Sequence, residues 1–425
     1  MVGNNSTNLT FKYGAGEIGA VLHGGRFLAE LAPKGFPGVA DLEAEIIRQL
    51  EYPVASEPLK ILARQARKIA IVTSDHTRVL PSEKILPVIF NYLEQKGVTP
   101  DKITIVIGGG NHRSVTAEEK VKLLGTLNGK VRSCHSRETG YKLLGLTTRG
   151  TPVEVSVPVA EADLVIALGN IEFHQLAGFS GGVKAVAAGA ASSRALEYNH
   201  RLNILQGNKL GELEENQVRQ DMEEFARTAG LRFIVNTVLN YDHQVISVVA
   251  GDPIEAHRIG CETARESFAV EIDEKADIVI VSPGGSPKDD TVYQSQKTLL
   301  NALRAVVQGG IIIFAAKCGE GFGDPVFERW MSGFSNVNEI EERTASEFVL
   351  GGHKCTFIAK AVKHATIFMV SDMESTQVKK LFFEPYNYLQ EAINAALHIK
   401  GDKASILVMP WGGVTVPFLR QSKGN

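Results

Sequence analysis

Cysteine is scarce and scattered. The four residues, Cys134, Cys261, Cys318 and Cys355, form no Cys-x-x-Cys pair, which excludes a disulfide scaffold and a cysteine-built zinc site. They are expected to be reduced packing residues. No run approaches the roughly 18 unbroken apolar residues of a membrane helix. The first residues carry neither a basic nor an apolar targeting stretch, so the expected setting is cytoplasmic, with no membrane partner. Charge of one sign is also lacking: 45 Lys and Arg against 48 Asp and Glu leave −3, without a dense basic run, so nucleic acid is not an expected partner. No Walker motif is present, and no short-period repeat or low-complexity tract interrupts the chain.

What is there is a βαβ rhythm across 425 residues, 44% hydrophobic and 22% charged, enough for two or three ordinary domains. β-Branched runs at 68–73, 102–107, 153–157, 163–169, 232–238 and 245–250 alternate with helical patterns at 82–96 and 253–268. That alternation predicts parallel sheets. In the first helix Ile85, Leu86, Ile89 and Leu93 share a face, Gly97 closes it and Pro100 prevents a restart. The charged stretch 271–275 suits a linker. A second α/β unit is expected from 276 to 410, with strands beginning at Asp277 and at 311–315, 366–370 and 405–409, and helices at 291–307 and 386–397. The first domain is expected to span 1–268 and to be completed by 411–425, with hinges near 265–276 and Pro410. The fold class is thus α/β, two domains with the site in the cleft between them.

Ligands of open α/β sheets collect at the carboxyl ends of strands. Three polar clusters follow predicted strands: Asp75-His76-Thr77-Arg78, Gly108-Gly109-Gly110-Asn111-His112-Arg113, and Asn170 to His174. Each alone has an ordinary explanation, as a helix cap, a permissive turn or a structural histidine. Jointly, His112 and His174 at adjacent strand ends suit proton transfer near neutral pH. Lys184, between Gly181-Gly182 and a small-residue run, is placed to meet a cofactor, and His200 is a candidate metal ligand. Later, Tyr293, Gln294 and Lys297 open a helical pattern, with Gln294 and Lys297 on one face. An exposed helical face is the plainer reading of that group.

These pieces, in this order, resemble the lactate racemase family, the nickel-pincer racemases and epimerases of 2-hydroxy acids. They are Asp75-His76-Thr77-Arg78 with Pro81, Gly110-Asn111-His112-Arg113, Gly178-Phe179-Ser180-Gly181-Gly182-Val183-Lys184 with His174 ten before and His200 sixteen after the lysine, and Tyr293-Gln294 with Lys297. The resemblance implies a cofactor, the Ni(II)-pyridinium-3,5-bisthiocarboxylate mononucleotide (the nickel-pincer nucleotide), joined to Lys184, with His200 the protein ligand to nickel. It implies cofactor contacts from Asp75, His76, Thr77, Arg78, Gln294 and Lys297, and substrate contacts from Arg78, Tyr293 and Lys297. His112 and His174 would be the acid/bases as Cα passes hydride to the cofactor and takes it back through a 2-oxo acid. Cofactor-biosynthesis enzymes are the implied partners. Lactate-type members carry a tryptophan in a loop corresponding to 349–355, which has none here, so the 2-hydroxy acid stays open. Two other readings compete: a zinc-dependent hydrolase using His112, His174 and His200, and a non-enzymatic anion-binding α/β protein.

Overall fold

The computed structural model describes residues 6–206, 210–347 and 349–420. They divide into two α/β units, one of residues 35–267 and one joining residues up to 34 with those from 268 onward. None of the described helices is long and apolar enough to cross a membrane.

The 35–267 unit is built on six strands in the order Val245–Gly251, Leu231–Leu239, Leu164–Asn170, Ile69–Ser74, Ile103–Gly108, Arg132–His135. All neighbours are parallel except the first pair, which is antiparallel. Strand side chains alternate, so Ile69, Ile71, Ile103, Ile105, Leu164 and Ile166 enter one core. The helix Ser82–Gln95 covers that face with Ile85, Leu86, Ile89 and Leu93, all fully buried. Each such side chain contributes about 1.5–3 kcal/mol of transfer free energy. Gly97 follows the helix at φ +87, a conformation that favours glycine, and so ends it where the sequence predicts. Because the three central strands are parallel and adjacent, the segments after Ser74, Gly108 and Asn170 leave the same edge.

The second unit has six parallel strands in the order Glu384–Tyr386, Ala365–Val370, Val306–Ala315, Ala276–Val281, Ser405–Met409, Arg26–Glu30. Both faces are covered: Val279, Val281, Ile312 and Phe314 lie in one core, Ile278, Ile280, Ile311 and Ile313 in the other. That is why these strands read as continuous apolar runs.

Three particulars differ from the sequence expectation. Residues 26–30 and 416–419 belong with the second unit rather than completing the first, because Arg26–Glu30 pairs with Ser405–Met409 and Ala269–Ile272 with Val416–Leu419. The supposed linker therefore begins inside a strand. The helix expected over 291–307 is two short helices, Val292–Ser295 and Lys297–Ala302, and the β-branched pair Val306-Val307 already starts the next strand.

Candidate active site

Asp75 follows the strand Ile69–Ser74 and is only 2% exposed. Its Oδ2 accepts from His112 Nδ1 at 2.7 Å, and its Oδ1 accepts from the Thr77 hydroxyl at 2.7 Å and the Thr77 amide at 3.2 Å. Burial pushes this carboxyl up, but the hydrogen bond and charge of His112, then Thr77 and Arg78, outweigh it and hold Asp75 at about 2. An ionised carboxylate accepts only, so His112 carries its hydrogen on Nδ1 and the electron pair of the neutral ring lies on Nε2. The turn bearing His112 is clamped from behind, where Arg137 donates to the carbonyls of His112 at 2.8 Å and Asn111 at 3.2 Å. The Arg78 guanidinium, half-buried and within electrostatic reach of Asp75, makes no hydrogen bond or ion pair among the described residues. His76 turns elsewhere: its Nε2 is 3.5 Å from Glu119 and 3.2 Å from Arg113, while its buried Nδ1 has no hydrogen-bond partner among the described residues.

His174 is held by a miniature hairpin in which Phe173–His174 pairs with Gly178–Phe179. Its Nδ1 accepts from the amides of Leu176 at 3.3 Å and Ala177 at 3.2 Å, which leaves the hydrogen of the neutral ring on Nε2. The two histidines thus adopt opposite tautomers.

Lys184 stands at the head of a short π-helical turn, Ala185–Gly189. Two glycines bring the chain to it, at φ +72 for Gly181 and +57 for Gly182. A β-carbon on Gly181 would meet Asn236 Oδ1 at 2.7 Å, and one on Gly182 would meet His257 at 2.7 Å, so neither site has room for a side chain. Behind the turn His257 Nε2 lies 2.7 Å from the Ser180 carbonyl and Arg219 reaches the same ring, with both His257 and Arg219 buried. The π-helical turn also packs on the turn that carries His112: Gly110 N donates to Gly189 O at 3.0 Å, and a β-carbon on Gly108 would come within 2.9 Å of Gly189. The turns that follow Lys184 and precede His112 are thereby packed backbone to backbone. His200 follows in the helix Ser193–Gln206, its Nδ1 at 3.2 Å from Asn199 Oδ1.

Within the other unit Tyr293, Gln294 and Lys297 come together. Lys297 Nζ donates to Gln294 Oε1 at 2.8 Å, and the Lys354 ammonium sits 4.3 Å from the centre of the Tyr293 ring, which packs edge-on to Phe327. Trp330 is distant in sequence from the 349–355 loop but lies against its Gly352, whose β-carbon would stand 2.6 Å from the indole.

Residues 13–211 match the family description "Lactate racemase N-terminal domain" and residues 272–417 "Lactate racemase C-terminal domain". The lactate racemase of Thermoanaerobacterium thermosaccharolyticum is 32% identical over 418 residues, 95% of this chain and 98% of that one. The chain belongs to the lactate racemase family. The lactate racemase of Lactiplantibacillus plantarum is likewise 32% identical, over 87% of this chain and 89% of its own. Membership makes the chain an isomerase, a racemase of this family. The apoprotein structure of the T. thermosaccharolyticum enzyme superposes with a TM-score of 0.90 over 98% of this chain and 100% of that one. A Thermotoga maritima protein, 18% identical with a TM-score of 0.67 over 89% of this chain and 98% of its own, shares the fold.

For a member of the lactate racemase family the zinc reading fails on geometry: among the described residues no group of three or more His, Cys, Asp or Glu side chains stands close enough to hold a metal ion. Sequence reasoning missed several supporting residues. His135 ends the short strand Arg132–His135 and lies against Gly109, where a β-carbon would be 2.5 Å from its Nε2. Its strand, Arg-Ser-Cys-His, is too polar to have signalled itself. Arg219 and His257 were invisible because nothing local marks a residue that packs behind a turn far along the chain.

Proposed function

We propose that this chain inverts Cα of a 2-hydroxy acid with a nickel-pincer nucleotide tethered to Lys184. The donor chemistry fits that group. Lys184 offers a primary amine on a turn too tight for side chains, and His200 is an imidazole whose Nδ1 is already engaged. A pincer group supplies the remaining ligands itself, and planar coordination with sulfur donors suits Ni(II). When bound, the group supplies an acceptor and donor of the Cα hydride.

The observation that carries the reading is the opposite presentation of the two rings: His112 has its electron pair on Nε2 and His174 its hydrogen there. A simple base is too weak for the Cα proton of a 2-hydroxy acid, but His112 can take the hydroxyl proton as hydride leaves. Asp75 stabilises the imidazolium so formed. When the planar 2-oxo acid presents its other face, the His174 N–H meets the carbonyl oxygen and stabilises the charge that returns to it. Full proton delivery by His174 requires its imidazolium, whose Nδ1 must release the Leu176 and Ala177 amides. In the reverse direction His174 takes the hydroxyl proton on Nε2 only once its hydrogen has moved to Nδ1, which again requires release of the Leu176 and Ala177 amides, and the His112 imidazolium then donates from Nε2. Arg78 holds the substrate carboxylate, and Tyr293 with Lys297 completes its binding, so that the intermediate turns without escaping. Cofactor contacts from Asp75, His76, Thr77 and Gln294 belong to the same proposal.

The test uses cofactor-loaded protein. The peptide containing Lys184 should carry the added mass, and at least one acid among lactate, malate, 2-hydroxyglutarate, phenyllactate and sugar acids should racemise. A loaded sample that leaves every one of them unchanged overturns the proposal.

A further inference from the structure

Asn199 precedes His200 in the helix Ser193–Gln206 and is 2% exposed. Its amide nitrogen donates to the Val218 carbonyl at 3.0 Å and to Asp221 Oδ2 at 2.8 Å. Both partners only accept, so the amide has one possible orientation and its oxygen is the atom 3.2 Å from His200 Nδ1. An amide oxygen cannot donate. The His200 hydrogen therefore lies on Nδ1, and Nε2 carries the electron pair.

Asp221 is itself fully buried, in the helix Gln217–Thr228, and is gripped from the far side. The Thr147 hydroxyl donates to its Oδ1 at 2.6 Å and the Thr151 hydroxyl to its Oδ2 at 2.8 Å. With Asn199, three donors satisfy this carboxylate. A buried charge so thoroughly bonded is a rigid anchor, and the rigidity passes through Asn199 to the His200 ring.

We infer that Asp221 and Asn199 are positioning residues that fix His200 in the tautomer a metal requires, with Nε2 as the ligating atom. The inference rests on the reading of His200 as the nickel ligand. A metal-bound imidazole holds its ring orientation and basicity through the hydrogen bond of its other nitrogen, and loss of such a partner typically weakens metal binding 10–100-fold. A purely structural Asp221 would tie two helices together and leave nickel indifferent to Asn199.

The experiment follows nickel release into a chelator from cofactor-loaded protein, alongside the mass of the organic group on Lys184. Asn199→Ala should release nickel about 10–100-fold faster while the Lys184 adduct persists. Nickel release at the unaltered rate from Asn199→Ala, with fast release from His200→Ala, overturns the positioning role. Slow release from His200→Ala as well overturns the ligand reading, and the proposal with it. A second measurement needs no variant to be loaded with cofactor. In the full chain labelled with ¹⁵N-histidine, the His200 signal, identified by its loss in His200→Gln, should show a protonated Nδ1; a protonated Nε2 overturns the proposal.

Discussion

The Asp75 carboxylate holds His112 by Nδ1 at 2.7 Å from a position that is itself 2% exposed, so the charge that orients the ring also stabilises its protonated form. Asp75→Asn keeps the shape and removes the charge. We expect kcat to fall roughly 10²- to 10⁴-fold, as when a neutral amide replaces the aspartate behind a catalytic histidine, with KM changed much less. The acid limb of the kcat profile should move to lower pH, because His112 loses the negative charge that favoured its protonation. A pH–rate series on the loaded variant checks both, and an unmoved limb contradicts the assignment.

Stability should decline from about pH 6.5 downward because of His257. Burial first, and the Arg219 charge next, hold this imidazole well below its ordinary value. Below about 6.5 the unfolded chain takes up a proton that the folded chain refuses, so unfolding becomes easier as pH falls toward the folded value. The slope from this one group approaches about 1.4 kcal/mol per pH unit. Urea unfolding of the wild type and His257→Gln at pH 7.5, 6.5 and 5.5 tests it, and parallel curves for the two proteins would dismiss His257 as the source.

Gly182→Ala places a β-carbon 2.7 Å from His257 on a backbone at φ +57. Strain and displacement together should cost about 1–3 kcal/mol. Lys184 should shift with the turn. Thermal unfolding and the yield of cofactor adduct should fall together, and an adduct yield equal to the wild type would show that the turn does not position the amine.

Arg78→Lys retains a positive charge but loses the forked, two-point grip on a carboxylate. KM for the 2-hydroxy acid should rise roughly tenfold or more, in line with the loss of a bidentate charged hydrogen bond. Steady-state kinetics on whichever acid proves to be the substrate measure this. A variant with unaltered KM would remove Arg78 from the substrate contacts.

Much of this architecture was legible because its signals are local. The strand Ile69–Ser74 and the helix Ser82–Gln95 announce themselves by alternation and by a three-four spacing closed with glycine. The clusters at 75–78 and 108–113 could be placed on one edge because parallel strands leave no other choice. His112 and His174 were legible as candidate acid/bases, but their tautomers were not, since these depend on Asp75 in one case and two backbone amides in the other. The 291–307 helix was over-extended because periodicity carries through Gln296 and does not register where Val306 takes up strand pairing. Asp221 gave no signal at all: a buried carboxylate in an amphipathic helix looks like any solvated one until its threonines are seen.

The pairing of Arg26–Glu30 with Ser405–Met409 also sets a timetable. During synthesis Arg26–Glu30 must wait for Ser405–Met409, roughly 20–80 s at typical elongation rates. In that interval the intervening unit has all of its own strands and can close, while the early segment stays without its neighbour. His112, His174 and Lys184 therefore lie in the unit whose sequence is completed first, and Arg26–Glu30 is the strand left without its neighbour until Ser405–Met409 is made.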